Sequence, residues 1–320
     1  MDEKNLVREL RSRNNPVGAA LLIYYGIMNF AVLLVTALDL LFFALRTGNW
    51  NMFDLMDYMM RSMTSNGTGY LISIAIGTLI VLLWKKPAFW RDEIFARDKK
   101  MDAASFLQLL CVFLCGQAIL QLMVPVLEWV LNQVGLSALA ALEAASIQST
   151  GVTMFLYITI LGPIAEELLF RGLILRLLRH CGKQGAIVFS ALLFGLFHGN
   201  VVQIPFAFLV GLVLGYTAAE YSIVWAMVLH IINNLVLSDL MGRLSEILPA
   251  GVGDGLFYGL MIFAAIATIV ILIIRRAQVK QYLQENRIHP LSAKAFFTSP
   301  AVLVFGILML LSSLLTITPI

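Results

Sequence analysis

The chain has 320 residues, 60% of them hydrophobic and 13% charged, with a formal net charge of +3 and a mean hydropathy of +0.88. Ordinary soluble domains are nearer half apolar and a quarter charged, so this balance excludes a water-dissolved globule and makes lipid the solvent for most of the chain. The small net charge gives no basis for a nucleic-acid partner, and three cysteines (Cys111, Cys115 and Cys181) are too few for a disulfide framework.

The first residues, MDEKNLVRELRSRNNP, are polar and basic. The apolar run behind them, 17–45, is too long for a signal-peptide core and lacks a small-residue cleavage site, so it reads as an uncleaved first span. A crossing needs roughly 20 apolar residues. Further runs at 69–84, 104–131, 151–178, 185–200, 202–220, 223–240, 257–274 and 300–317 complete an all-α, polytopic transmembrane helical bundle of nine spans, with eight the nearest alternative. Between the first two spans, Met52, Met56, Met59, Met60 and Met63 recur at helical spacing and predict an amphipathic helix lying in the interface. Residues 134–146 predict a short Ala/Leu helix ahead of the fourth span.

Basic residues orient these spans. Lys4, Arg8, Arg11 and Arg13 precede the first; Lys85, Lys86, Arg91, Arg97, Lys99 and Lys100 fill the second cytoplasmic segment. Arg176, Arg179 and Lys183 flank the next turn on that side, and Arg275, Arg276, Lys280, Arg287 and Lys294 the last. Only Arg46, Arg61 and Arg243 fall opposite. The positive-inside rule then predicts a cytoplasmic N-terminus and, with nine spans, a C-terminus outside; with no organelle signal in the chain, the cell membrane is the expected location of this multi-pass protein. The loops 85–103 and 275–299 are expected to anchor to anionic lipid. No repeats or linkers appear. The organisation is one membrane domain, with N-terminal spans and interfacial helices in 1–150, a core in 151–240 and C-terminal spans in 241–320.

Ionisable groups inside a membrane are costly and mark function when they gather. Asp39 and Glu128 are isolated and read as hydrogen-bonding or interfacial groups. Between 163 and 234 the pattern changes. PIAEELLFRG (163–172) places Glu167 and Arg171 one helical turn apart, the order that favours an ion pair. Glu166 points about 100° away around the helix, free to face a cavity. FGLFHGN (194–200) puts His198 on the next span. Glu166 and His198 each lie about 24 Å along antiparallel helices from the turn at Gly182, so both are expected at one depth, where they form a carboxylate–imidazole pair. LHIINN (229–234) sets His230 and Asn234 on one face of a third helix. Gly195/Gly199 and Gly211/Gly215 have the spacing that lets helices pack closely.

A carboxylate and an imidazole at one depth polarise a water, and a His/Asn face supplies donors for a tetrahedral oxyanion. Together they describe amide hydrolysis. There is no HExxH helix, although Glu166, His198 and His230 are a donor set able to hold one divalent metal such as zinc.

Glu166-Glu167-xxx-Arg171, Phe194-xxx-His198 and His230-xxx-Asn234, in this order, resemble the three motifs of the CPBP group, the CAAX-protease and bacteriocin-processing intramembrane proteases. The resemblance covers about 151–240. It implies an endopeptidase acting on membrane-tethered, CAAX-like protein or peptide substrates, with an active site opening within the membrane. Carried over, Glu166 and His198 activate water, His230 and Asn234 stabilise the oxyanion, and Glu167, Arg171 and Phe194 support the geometry. Family members are called metalloproteases, while a metal-free glutamate mechanism has been argued for the prenyl-protein endopeptidases, so the metal question stays open. The same group contains members linked to self-immunity, which makes a non-catalytic scaffold the alternative. An ion-coupled transporter is a third reading, and no paired inverted repeats support it.

Overall fold

The computed structural model describes residues 2–94, 98–146 and 149–320, nearly all of them helical. Arg97, counted above for orientation, lies outside the described residues. Helix α1 (Glu3–Thr47) runs 45 residues without a break, about 68 Å. It starts well before the expected first span because its polar turn is packed: Arg11 Nε donates to Thr298 Oγ1 at 2.8 Å, and Asn14 Oδ1 meets His180 Nε2 at 3.0 Å. Helix α2 (Met52–Ser65) is the expected methionine helix, capped by Asn51, whose side chain accepts from the Phe53 N–H. Asp39 of α1 holds it there, accepting from Ser62 Oγ at 2.7 Å and Tyr58 OH at 3.1 Å.

Helix α3 (Thr68–Trp84) leaves α2 at 54°. Then come α4 (Ala103–Asn132), α5 (Val152–Cys181), α6 (Lys183–Phe197), α7 (Gln203–Glu220), α8 (Ile223–Ile247) and α9 (Val252–Ile274). Two short helices, α10 (Arg276–Glu285) and α11 (Pro290–Phe297), lead to α12 (Pro300–Leu314), which bends from α11 by 63°. The stretch expected as a helix at 134–146 is helical only over Leu139–Ala145. Before it, Leu136–Ser137 pairs antiparallel with Thr318–Pro319. Glu128 stitches that loop to α4, accepting from Ser137 Oγ and the Ala138 N–H, both at 2.8 Å.

All nine apolar stretches lie largely within helices. Six helices alone are long and apolar enough to cross a membrane, and the two bent pairs raise this to eight. Helix α6 is apolar but has only 15 residues, about 22 Å against a hydrocarbon core of roughly 30 Å. Its two ends nevertheless meet opposite faces of the bundle. At one, Lys183 Nζ lies 2.7 Å from Glu220 Oε1 and 3.0 Å from Asp98 Oδ2, while Lys99 Nζ lies 2.7 Å from Glu220 Oε2. At the other, Asn200 Nδ2 donates to Ala141 O at 2.9 Å, and the Ile320 N–H to Gly135 O at 3.1 Å.

Large apolar side chains such as Phe30, Leu33, Phe42, Ile266, Ile273 and Leu311 face outward, as expected when hydrocarbon is the solvent. Inside, Leu21, Phe113, Phe170, Leu173, Phe194, Leu214 and Phe305 belong to one buried cluster that joins α1, α4, α5, α6, α7 and α12. Helices α6 and α7 touch closely: a Cβ on Gly195 would stand 2.7 Å from Ile204 O, and one on Gly211 would stand 3.1 Å from the Phe194 ring.

Candidate active site

Helix α5 supplies Glu166, Glu167 and Arg171, α6 supplies Phe194 and His198, and α8 supplies His230 and Asn234. The local form of α5 follows from its Gly162-Pro163 step. Proline has no N–H, and its ring clashes with the carbonyl four residues back. The helix widens to a π-turn over Tyr157–Leu161, and the Gly162 N–H reaches Tyr157 O, five residues back. Glycine is needed there, since a Cβ would lie 2.6 Å from Tyr157 O. Ile158 O thereby loses the Gly162 N–H of an α-turn, and Pro163 has none to replace it. The freed carbonyl accepts from Asn234 Nδ2 at 2.9 Å. A second wide turn, Leu168–Ile174, follows the glutamates, and Ser190 Oγ of α6 donates to its Phe170 O at 3.0 Å.

Glu167 and Arg171 form the expected pair, Nη1 to Oε1 at 2.8 Å, with both side chains fully buried. Arg171 also donates from Nη2 to Gly211 O at 3.2 Å and lies over the Phe194 ring, 4.3 Å from its centroid. Glu167 Oε1 takes a second bond from His230 Nδ1 at 3.0 Å. Glu167 Oε2 has no hydrogen-bond partner among the described residues. Glu166 differs from its neighbour: its side chain is 25% exposed, and Oε2 stands 3.7 Å from His230 Nε2. His230 thus lies between the two carboxylates.

The expected Glu166–His198 contact is not formed; no ion pair joins them, and the imidazole beside Glu166 is that of His230. Depth along the helices says nothing of azimuth, and α8 is a neighbour of α5 at the glutamates. His198 caps the end of α6, with Nδ1 2.9 Å from Phe194 O. A carbonyl only accepts, so Nδ1 donates, and Nε2 of the neutral ring keeps the lone pair. The Phe194 ring meets both imidazoles edge-on, with centroids 5.0 Å from His198 and 5.7 Å from His230.

Asn234 is held by a relay that the sequence reading missed. Asn233 Nδ2 donates to Asn234 Oδ1 at 2.8 Å, and Gln117 Nε2 of α4 donates to Asn233 Oδ1, also at 2.8 Å. Its visible signals were Asn233, beside Asn234 in LHIINN, and Gln117, one of three glutamines in the apolar run of α4.

Both imidazoles anchor Nδ1 on an acceptor and leave Nε2 without a hydrogen bond among the described residues, the arrangement that supports a metal-ligating histidine. Yet among the described residues no three His, Cys, Asp or Glu side chains converge as a ligand set. Glu166, His198 and His230, as arranged, do not fit a bound metal.

Residues 148–236 match a family model described as type II CAAX prenyl endopeptidase Rce1-like. That stretch holds all seven motif residues, and the resemblance read from them is borne out over it. No curated protein and no solved structure matches the chain.

Proposed function

From the premise that residues 148–236 carry a CAAX-protease family core, we propose that the chain is an intramembrane endopeptidase. Its substrates are membrane-associated proteins or peptides, with a CAAX-like tail the class that the family description suggests. Glu166 takes a proton from water, assisted by the free Nε2 of His198, and the oxygen adds to the scissile carbonyl carbon. The oxyanion accepts from Asn234 Nδ2, whose second N–H is not spent on Ile158, and from a protonated Nε2 of His230. As the C–N bond breaks, the proton held by Glu166 passes to the leaving amine.

The observation that carries this reading is the contrast within one dipeptide. Glu167 is hydrogen-bonded by Arg171 at 2.8 Å and tied to His230, while Glu166 is part-exposed and, among the described residues, its one ion pair is the 3.7 Å approach to His230. The face bearing Lys99, Lys183 and the α1 N-terminus is proposed as cytoplasmic, because the basic loops gather there.

The test is cleavage of membrane-tethered peptides, prenylated and plain, by purified protein in vesicles beside Glu166→Ala and His198→Ala. Loss of roughly 10²- to 10⁴-fold in each is expected from removal of a proton-transfer group; unchanged cleavage by folded variants overturns the roles. Elemental analysis of the same samples decides the cofactor: one divalent metal such as zinc per chain, lost with His198→Ala or His230→Ala, would replace the metal-free scheme. If cells keep the wild-type phenotype with both variants, the scaffold reading takes its place.

A further inference from the structure

Away from the site, α9, α10, Arg287 just beyond it and the first turn of α6 line an open groove of about 540 Å³. Its walls combine Leu272, Val279 and Leu283 with Arg276, Lys280 and Arg287, and Gln184 closes the α6 side. The three apolar side chains are exposed, by 48%, 39% and 46% respectively. The helical period places Arg276, Lys280 and Leu283 on one face of α10. A different face of α10 is pinned to the bundle, since Tyr282 OH donates to Glu220 Oε1 at 3.1 Å. The groove face is therefore held outward.

None of Arg276, Lys280 and Arg287 has a hydrogen bond or ion pair among the described residues, and no carboxylate lines the groove. The wall at Gln184 belongs to a helix N-terminus that no side chain caps, and the amides of such a terminus favour an anion. Leu272 sits at the end of α9, which is long and apolar enough to cross a membrane. Positive charge with no internal partner thus meets apolar side chains at the level where a span gives way to an interfacial helix.

We propose that this groove binds one anionic phospholipid. The phosphate lies among Arg276, Lys280, Arg287 and the α6 terminus, and an acyl chain lies along Leu272, Val279 and Leu283. The charge complementarity and the apolar wall select this occupant: a free phosphate has no use for the wall, and a zwitterionic lipid brings a cation into the cationic groove. The proposal does not depend on the endopeptidase reading.

Native mass spectrometry of the full chain with added phosphatidylglycerol or phosphatidylcholine tests it. One phosphatidylglycerol is expected to stay bound in preference to phosphatidylcholine. Arg276→Ala/Lys280→Ala/Arg287→Ala is expected to weaken it by on the order of 100-fold, given the contribution of each basic residue near an anionic surface. A control with the same charge change, Lys4→Ala/Arg8→Ala/Lys86→Ala, is expected to keep it, and the single Lys280→Glu exchange serves if the triple variant folds poorly. Equal loss in the control, or no preference between the two lipids, overturns a defined site. Displacement by soluble glycerol phosphate, or by an acidic peptide, overturns the lipid as occupant.

Discussion

Two carboxylate sites at different heights in the bundle are treated in opposite ways. Glu220, at the end of α7, is saturated: Lys99 and Lys183 each approach to 2.7 Å and Tyr282 donates at 3.1 Å. Its hydrogen bond holds the Lys99 ammonium above the ordinary range, and burial followed by the charge of Glu220 pushes the Tyr282 phenol up. At the glutamate pair of α5 the polar groups are not all used. Glu167 Oε2 and Arg171 Nε lack partners among the described residues, and Glu166 stands 3.7 Å from the nearest nitrogen of His230. A saturated cluster fixes loops together; an unsaturated one retains capacity for a substrate or water. The same chemistry thus serves as a fastener at one height and as a proposed reaction centre at the other.

The sharpest way to break this contrast is Arg171→Ala. It leaves Glu167 buried without its cation, and a loss of about 3–5 kcal/mol of stability is expected, read as a lower unfolding midpoint in detergent. Asn234→Ala is expected to lower kcat by roughly 10²- to 10³-fold, as loss of an oxyanion donor does, and to cost about 1–3 kcal/mol of stability because the Ile158 carbonyl loses its donor. A fall in stability without a fall in kcat would make the residue a helix fastener, like Glu220. Gly162→Ala forces a methyl against Tyr157 O and is expected to cost about 1–3 kcal/mol, with a loss of kcat because Ile158 O no longer positions Asn234. Gln117→Leu, at the far end of the relay, should have the smallest effect, about 1 kcal/mol in stability and a modest fall in kcat with KM unchanged.

The spans were legible because hydropathy alone separates lipid-facing from aqueous chain, and the Glu167–Arg171 pair because four residues make one turn. Asp39 and Glu128, read as isolated, proved to be hydrogen-bond anchors for α2 and for the loop after α4. The remainder depended on quantities a sequence does not carry. Counting residues from Gly182 gave depth but not azimuth, so His198 rather than His230 was expected beside Glu166. The π-turn at Tyr157–Leu161 required knowing that Gly162 and Pro163 would be accommodated by widening rather than by ending the helix. Gln117 reaches Asn233 across 116 residues of chain, a contact set by the packing of α4. The helical start of α1 at Glu3 likewise depends on partners near Thr298 and His180.

The most direct test sets Glu166→Gln beside Glu220→Gln in one assay of peptide cleavage and thermal unfolding. Glu166→Gln should abolish most cleavage, by roughly 10²- to 10⁴-fold, with the unfolding midpoint kept. Glu220→Gln should lower the midpoint through a loss of about 1–3 kcal/mol while each folded molecule cleaves at the wild-type rate. Wild-type cleavage by Glu166→Gln, or a folded Glu220→Gln that no longer cleaves, would contradict the division between reaction centre and fastener.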